Sequence, residues 1–149
     1  MKRLRVLIAA SAIVAAFGGA IAVNATHTAQ GVVHTTVTGN VSCSVGTVHV
    51  KVDPGANGFY ANGEIEIYDY NGISFSWRLV NPTKTAAEGG LDANQVLVKG
   101  GPNTEVYQYL PVPPVVHDDD QGLTAPVNPN NGKTYGISHI TFCFDPKAP

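Results

Sequence analysis

The chain has 149 residues, with nine basic and eleven acidic side chains and 13% of its positions charged. No Lys/Arg cluster follows the first five residues, which excludes nucleic acid and anionic membrane surfaces as partners, because both are held by dense positive charge. The length suits one ordinary domain with a core of its own.

The chain opens with a basic head, Lys2, Arg3 and Arg5, followed by an apolar run from Val6 to Val23 broken only by small residues. Ala20-Ile21-Ala22 and Val23-Asn24-Ala25 then supply small-residue exits. These three parts predict a secretory signal peptide over residues 1–25 and a single extracellular β domain over residues 26–149. An uncleaved anchor is the rival reading, since about 20 apolar residues span a bilayer. The Ala- and Gly-rich composition and the cleavage-like motifs favour removal, with no stable membrane insertion afterwards. The product then carries 6 basic against 11 acidic side chains, a net charge near −5.

Beyond the signal, Val, Thr, Tyr, Ile, Gly, Asn and Pro predominate, a vocabulary of strands and turns. Val32–Thr38 reads as the first strand. Val41–Val52 alternates, with Val41, Cys43 and Val45 on one side, and Val48, Val50 and Val52 after a parity shift at Gly46. Such a shift at glycine predicts a bulge or bend. Asp53-Pro54-Gly55 is a turn signal.

Glu64–Tyr70 and Ile73–Val80 flank Asn71-Gly72, which predicts a hairpin with a type I′ turn, whose two central residues need positive φ. That register sets Tyr70 opposite Ile73, Tyr68 opposite Phe75 and Glu66 opposite Trp77. Tyr68, Tyr70, Ile73, Phe75, Trp77 and Leu79 then form the core face, and Ile65, Ile67 and Val80 the other. Thr83–Asp92 is the only stretch suited to a helical turn, ended by Gly89-Gly90.

Asn94–Lys99 and Thr104–Leu110 predict a second hairpin across Gly100-Gly101-Pro102-Asn103. The stretch 111–134, holding Pro111, Pro113, Pro114, Pro126 and Pro129 without periodicity, reads as a long surface loop. Tyr135–Phe144 is the last strand, with Ile137, His139, Thr141 and Cys143 alternating against Ser138, Ile140, Phe142 and Phe144.

Short strands without helices predict an all-β fold, an antiparallel β-sandwich of immunoglobulin-like or jelly-roll-like form, with a partly open barrel as the alternative. Cys43 and Cys143 are the only cysteines. Export into an oxidising compartment predicts that they pair, joining an early strand to the last one.

The site candidates are few. Trp77 reads first as core, with an exposed aromatic platform for sugar stacking as the alternative; Tyr107 and Tyr109 join it as candidate binding residues. Asp118, Asp119 and Asp120 follow His117, and with Asn128, Asn130 and Asn131 they offer oxygen ligands for a weak Ca²⁺ site; the alternative is a solvated acidic loop. Glu64 and Glu66 point the same way on one strand and form a candidate carboxylate pair. The five histidines, His27, His34, His49, His117 and His139, fit no zinc spacing, and His139 reads as a partly buried structural residue. No nucleophile elbow or phosphate loop occurs.

Four segments together resemble an uncharacterised domain of secreted and surface-attached bacterial proteins. They are Lys99-Gly100-Gly101-Pro102-Asn103, Val106-Tyr107-x-Tyr109, Gly122-Leu123-x-Ala125-Pro126-Val127-Asn128, and Tyr135-Gly136-Ile137-Ser138-His139-Ile140-x-Phe142-Cys143. The resemblance covers about residues 41–145, and the final strand is its most specific part. It implies an extracellular β domain and assigns no catalytic residue. The chain ends at Pro149 without a sorting signal or hydrophobic tail, so a C-terminal anchor is not expected. The expected role is non-catalytic: a secreted structural or binding module with a cell-wall glycan, extracellular glycan or protein as partner and no required cofactor. The alternatives are a carboxylate hydrolase and an enzyme inhibitor presenting the Pro111–Lys133 loop.

Overall fold

In the computed structural model, residues 26–27, 32–53, 55–109 and 117–147 are described. The predicted signal peptide, Leu110 and residues 111–116 of the proline-rich stretch lie outside them.

Among the described residues, ten strands form in chain order: β1 Thr26–His27, β2 Val32–Thr38, β3 Val48–Val52, β4 Gly58–Tyr60, β5 Ile65–Tyr68, β6 Ser74–Leu79, β7 Leu91–Gly100, β8 Asn103–Tyr109, β9 Asp119–Thr124 and β10 Ile137–Pro146. One 3₁₀ turn, Ala86–Glu88, occupies the predicted helical stretch. The larger sheet runs β1-β2-β8-β7-β10-β3 and the smaller β4-β5-β6-β9. All pairings within both sheets are antiparallel. The two sheets make a sandwich and do not close into a barrel.

The core lies between the sheets. Ile65, Ile67, Phe75, Trp77, Leu79 and Leu123 come from the smaller sheet, and Val96, Val98, Tyr109, Ile140, Phe142 and Phe144 from the larger. Trp77 is 0% exposed and meets Tyr109, Phe142 and Phe144 edge-on at 6.0, 5.5 and 6.0 Å between ring centroids, an arrangement that aromatic quadrupoles favour. Phe75 meets Phe142 in the same way at 6.5 Å.

The hairpin across Asn71-Gly72 forms one residue out of the predicted register. Ile67 pairs with Trp77, Tyr68 with Ser76 and Glu66 with Arg78. The Asn71 side-chain oxygen accepts the Ile73 and Ser74 amides at 3.0 and 2.8 Å, so the turn closes between Asn71 and Ser74. Asp69, at φ 55°, takes up the odd residue. Since side chains alternate with a period of two, a one-residue slip exchanges faces. It places Ile65 and Ile67 beside Phe75, Trp77 and Leu79, and moves Tyr68 outward.

The second hairpin forms as predicted, with Gly100 paired to Asn103 across Gly101-Pro102. Gly101 lies at φ 55°, and a Cβ there would meet the Tyr135 ring at 2.6 Å. Only glycine fits both the conformation and the space.

No strand forms over residues 41–47. The segment from Gly39 to Thr47 is instead a strap across the outer face of the larger sheet, carrying the chain from β2 to β3 near the opposite edge. Gly39 N donates to Pro102 O at 2.8 Å, and Thr104 Oγ1 donates to Gly39 O at 2.8 Å. Ser44 and Gln95 exchange two bonds, Ser44 N to Gln95 Oε1 at 3.1 Å and Gln95 Nε2 to Ser44 Oγ at 2.8 Å. Thr47 N reaches Phe144 O at 2.8 Å. Between these points Cys43 is bonded to Cys143. The predicted disulfide is therefore present, but it joins the strap, not an early strand, to β10. Leu97, on the strapped face, is only 3% exposed. Gly46, at φ 88°, lies where a Cβ would stand 2.9 Å from Phe144 O, so the predicted bend at this glycine is where the strap turns into β3.

The stretch 111–134 is not one loop. Asp119–Thr124 adds β9 to β6, and Leu123 is buried opposite Phe75.

Candidate functional site

Trp77, Tyr107 and Tyr109 cannot serve as a binding platform, because all three are buried between the sheets. They instead hold a polar chain within the core. Trp77 Nε1 donates to Tyr109 Oη at 3.2 Å, which donates to Asp120 Oδ2 at 3.0 Å. Tyr107 Oη accepts from Thr124 N at 2.7 Å, tying β8 to β9 across the sandwich. Burial pushes the Tyr109 hydroxyl well above its ordinary value, with Asp120 adding to the effect. Burial likewise raises the Asp120 carboxyl.

The Asp118–Asp120 cluster does not converge as a cation site. Asp119 and Asp120 are successive strand residues and point to opposite faces; Asp120 is held by Tyr109, while Asp119 is exposed and paired across the strands with Arg78. Asp118 contributes its backbone oxygen to Leu79 N at 2.6 Å. Asn128 and Asn131 turn their side-chain oxygens to the backbone amides of Asn130 and Lys133, at 3.0 and 2.9 Å. Among the described residues, no group of three or more His, Cys, Asp or Glu side chains is placed to hold a metal ion.

The Glu64/Glu66 pair is likewise divided between two cations. Glu64 precedes β5 and takes Lys84 Nζ at 2.5 Å, while Glu66 takes Arg78 Nε at 2.6 Å. His139 is half-buried on the larger sheet's outer face; burial and the nearby Lys51 hold its pKa below the ordinary value.

A different surface brings functional groups together. On the outer face of the smaller sheet, Phe59 pairs with Glu66 and Glu66 with Arg78, so the three form one row across β4, β5 and β6. The Phe59 side chain is 64% exposed, although Phe75, Phe142 and Phe144 are all buried. The Arg78 guanidinium also lies 5.6 Å from the centre of the Tyr68 ring, a cation–π distance. Phe59, Glu66, Arg78, Leu79, Val80 and Pro82 line an open groove of about 400 Å³.

Local sequence explains why this row exists. Tyr60 turns inward to the core and bonds Ala56 O at 2.8 Å, so alternation turns Phe59 outward. Ala61 and Asn62, at φ 52° and 57°, and Gly63 at 89° reverse the chain into β5. Asn62-Gly63 is thus the hairpin signal that marks β4. The register slip of the next hairpin then sets Glu66 and Arg78 beside Phe59.

A second exposed feature is the tip between Val127 and Thr134, which bridge to each other. Gly132 N and Asn131 N both donate to Asn128 O, at 2.8 and 3.3 Å. Val127 is 53% exposed. This tip falls within the Pro111–Lys133 stretch that the inhibitor reading would present, whose other described residues include strand β9.

Compared with protein-family models, curated proteins and solved structures, the chain matches none.

Proposed function

We propose that the chain is exported and acts outside the cell as a non-catalytic binding module, with the outer face of the smaller sheet as its ligand face. One observation carries the reading: an exposed Phe59 ring stands in line with a Glu66–Arg78 ion pair along an open groove. An aromatic surface beside hydrogen-bonding groups is what concave ligand sites offer, and its placement on paired strands holds it rigid. The signal-like opening and the Cys43–Cys143 bond support export, because disulfides persist in oxidising compartments. The division of Glu64 and Glu66 between Lys84 and Arg78 favours binding over a paired-carboxylate hydrolase, because glycoside hydrolysis needs two carboxylates flanking one bond.

The test is to screen the purified chain against glycans, cell-wall fractions and extracellular proteins, with Phe59→Ala in parallel. Binding by the parent that is lost in the variant is expected. Substrate turnover abolished by changing a single acidic residue would overturn the reading.

A further inference from the structure

We infer that the groove beside Phe59 takes a neutral pyranose unit within an extended glycan; the inference rests on the smaller sheet's outer face being the ligand face. A pyranose has an apolar C–H face and a rim of neighbouring hydroxyls, and the groove offers a partner for each. The Phe59 ring is open to solvent along its row and supplies the stacking surface. Arg78 spends Nε on Glu66 Oε2 and lies over Tyr68. Its two terminal amino groups, and Glu66 Oε1, hold no protein hydrogen bond among the described residues. A donor fork therefore stands next to an acceptor oxygen. One sugar hydroxyl donates to Glu66 Oε1 while its neighbour accepts from an Arg78 terminal amino group.

Charge selects among sugars. Glu66 already neutralises Arg78, and Asp119 faces Arg78 from β9 on the same surface. A uronate or sulfate entering the groove would meet these carboxylates without an unpaired cation to compensate, and like charges at this range disfavour binding. A neutral sugar meets no such opposition. The groove is open rather than a closed pocket, so a polymer can run through it and need not present a chain end.

The test is an NMR titration of the isotope-labelled chain with soluble neutral glycans (mannan, β-glucan and xylan oligomers), with polygalacturonate and heparin as acidic controls. At least one neutral glycan is expected to shift amides of residues 58–60, 65–68 and 76–80. Phe59→Ala is expected to weaken binding about tenfold, the loss of one aromatic stack, with dispersed spectra showing that the fold persists. Arg78→Lys keeps the charge and loses the donor fork, and is expected to weaken binding about three- to tenfold. Acidic glycans binding as well as neutral ones, or no neutral glycan binding at millimolar concentration, would overturn the sugar assignment. Peptides shifting the same amides where neutral glycans do not would overturn the sugar class and leave the face standing. Glycan-induced shifts confined to residues 127–134 would overturn both.

Discussion

Removing the disulfide, by Cys43→Ser together with Cys143→Ala, acts mostly on the unfolded chain. Alanine is chosen at 143 because the site is fully buried and a serine hydroxyl there would add a desolvation cost of its own. The two cysteines are 100 residues apart in sequence. In the chain-entropy model a loop of that size is worth about 4–5 kcal/mol, a large part of a total stability on the order of 5–15 kcal/mol. In the folded state the strap keeps its other fastenings at Gly39, Thr104, Ser44, Gln95 and Thr47, so the native structure should survive where it is still populated. Urea denaturation followed by tryptophan fluorescence, with Trp77 as the only reporter of its kind, measures the loss. The expected result is a drop of about 4–5 kcal/mol with a larger denaturant slope, because the freed unfolded chain exposes more surface. In heat the same loss corresponds to roughly 15–20 °C for a domain of this size. A drop below about 1 kcal/mol with an unchanged slope would mean that the bond does not constrain the unfolded chain.

Four further outcomes rest on individual side chains. Trp77→Ala removes a side chain that is 0% exposed and leaves the Tyr109 hydroxyl without its donor; it should cost about 3–5 kcal/mol in urea denaturation followed by far-ultraviolet circular dichroism, since the variant has no tryptophan left to report. Gly101→Ala forces a Cβ into the Tyr135 ring at a left-handed position and should cost about 1–3 kcal/mol, whereas Phe59→Ala, on the surface, should change stability by no more than about 0.5 kcal/mol. Burial raises the Asp120 carboxyl above its ordinary 3.8, so the folded state favours the neutral form. That contribution is complete below the ordinary value and is lost as pH rises through the raised one. Asp120→Asn keeps an acceptor for Tyr109, so its stability relative to the parent should improve as pH rises from about 3.8 to neutrality; an unchanged difference across that range would contradict the burial account.

Much of the framework was legible because its signals are local. Val32–Thr38, the Gly101-Pro102 hairpin and the bend at Gly46 each follow from residue type and spacing within a few positions. The hairpin after Asn71-Gly72 was legible as an element but not in register, since its register is decided by burying Ile65 and Ile67 against the other sheet, a long-range demand that Asp69 meets with a left-handed backbone. Strand β9 was hidden because Asp119-Asp120-Gln121-Gly122 lacks strand formers; as an edge strand it needs only Leu123 inside, and its charges blunt the free edge. Trp77 was correctly expected in the core, yet its neighbours there, Tyr107 and Tyr109, were also read as binding residues, because aromatic side chains serve both purposes and the alternation of one strand does not say which face the other sheet covers. Phe59 was missed because three residues are too few to show alternation, although Asn62-Gly63 marks the turn that follows it.

The central claim is that the outer face of the smaller sheet, and not another surface, meets the ligand. Hydroxyl-radical footprinting by mass spectrometry, with and without cell-wall polysaccharide, tests it most directly. Phe59 and Tyr68 are expected to lose labelling when the polysaccharide is present while Val127 keeps it. Protection of Val127 and its neighbours with Phe59 unchanged, or no protection anywhere, would contradict it.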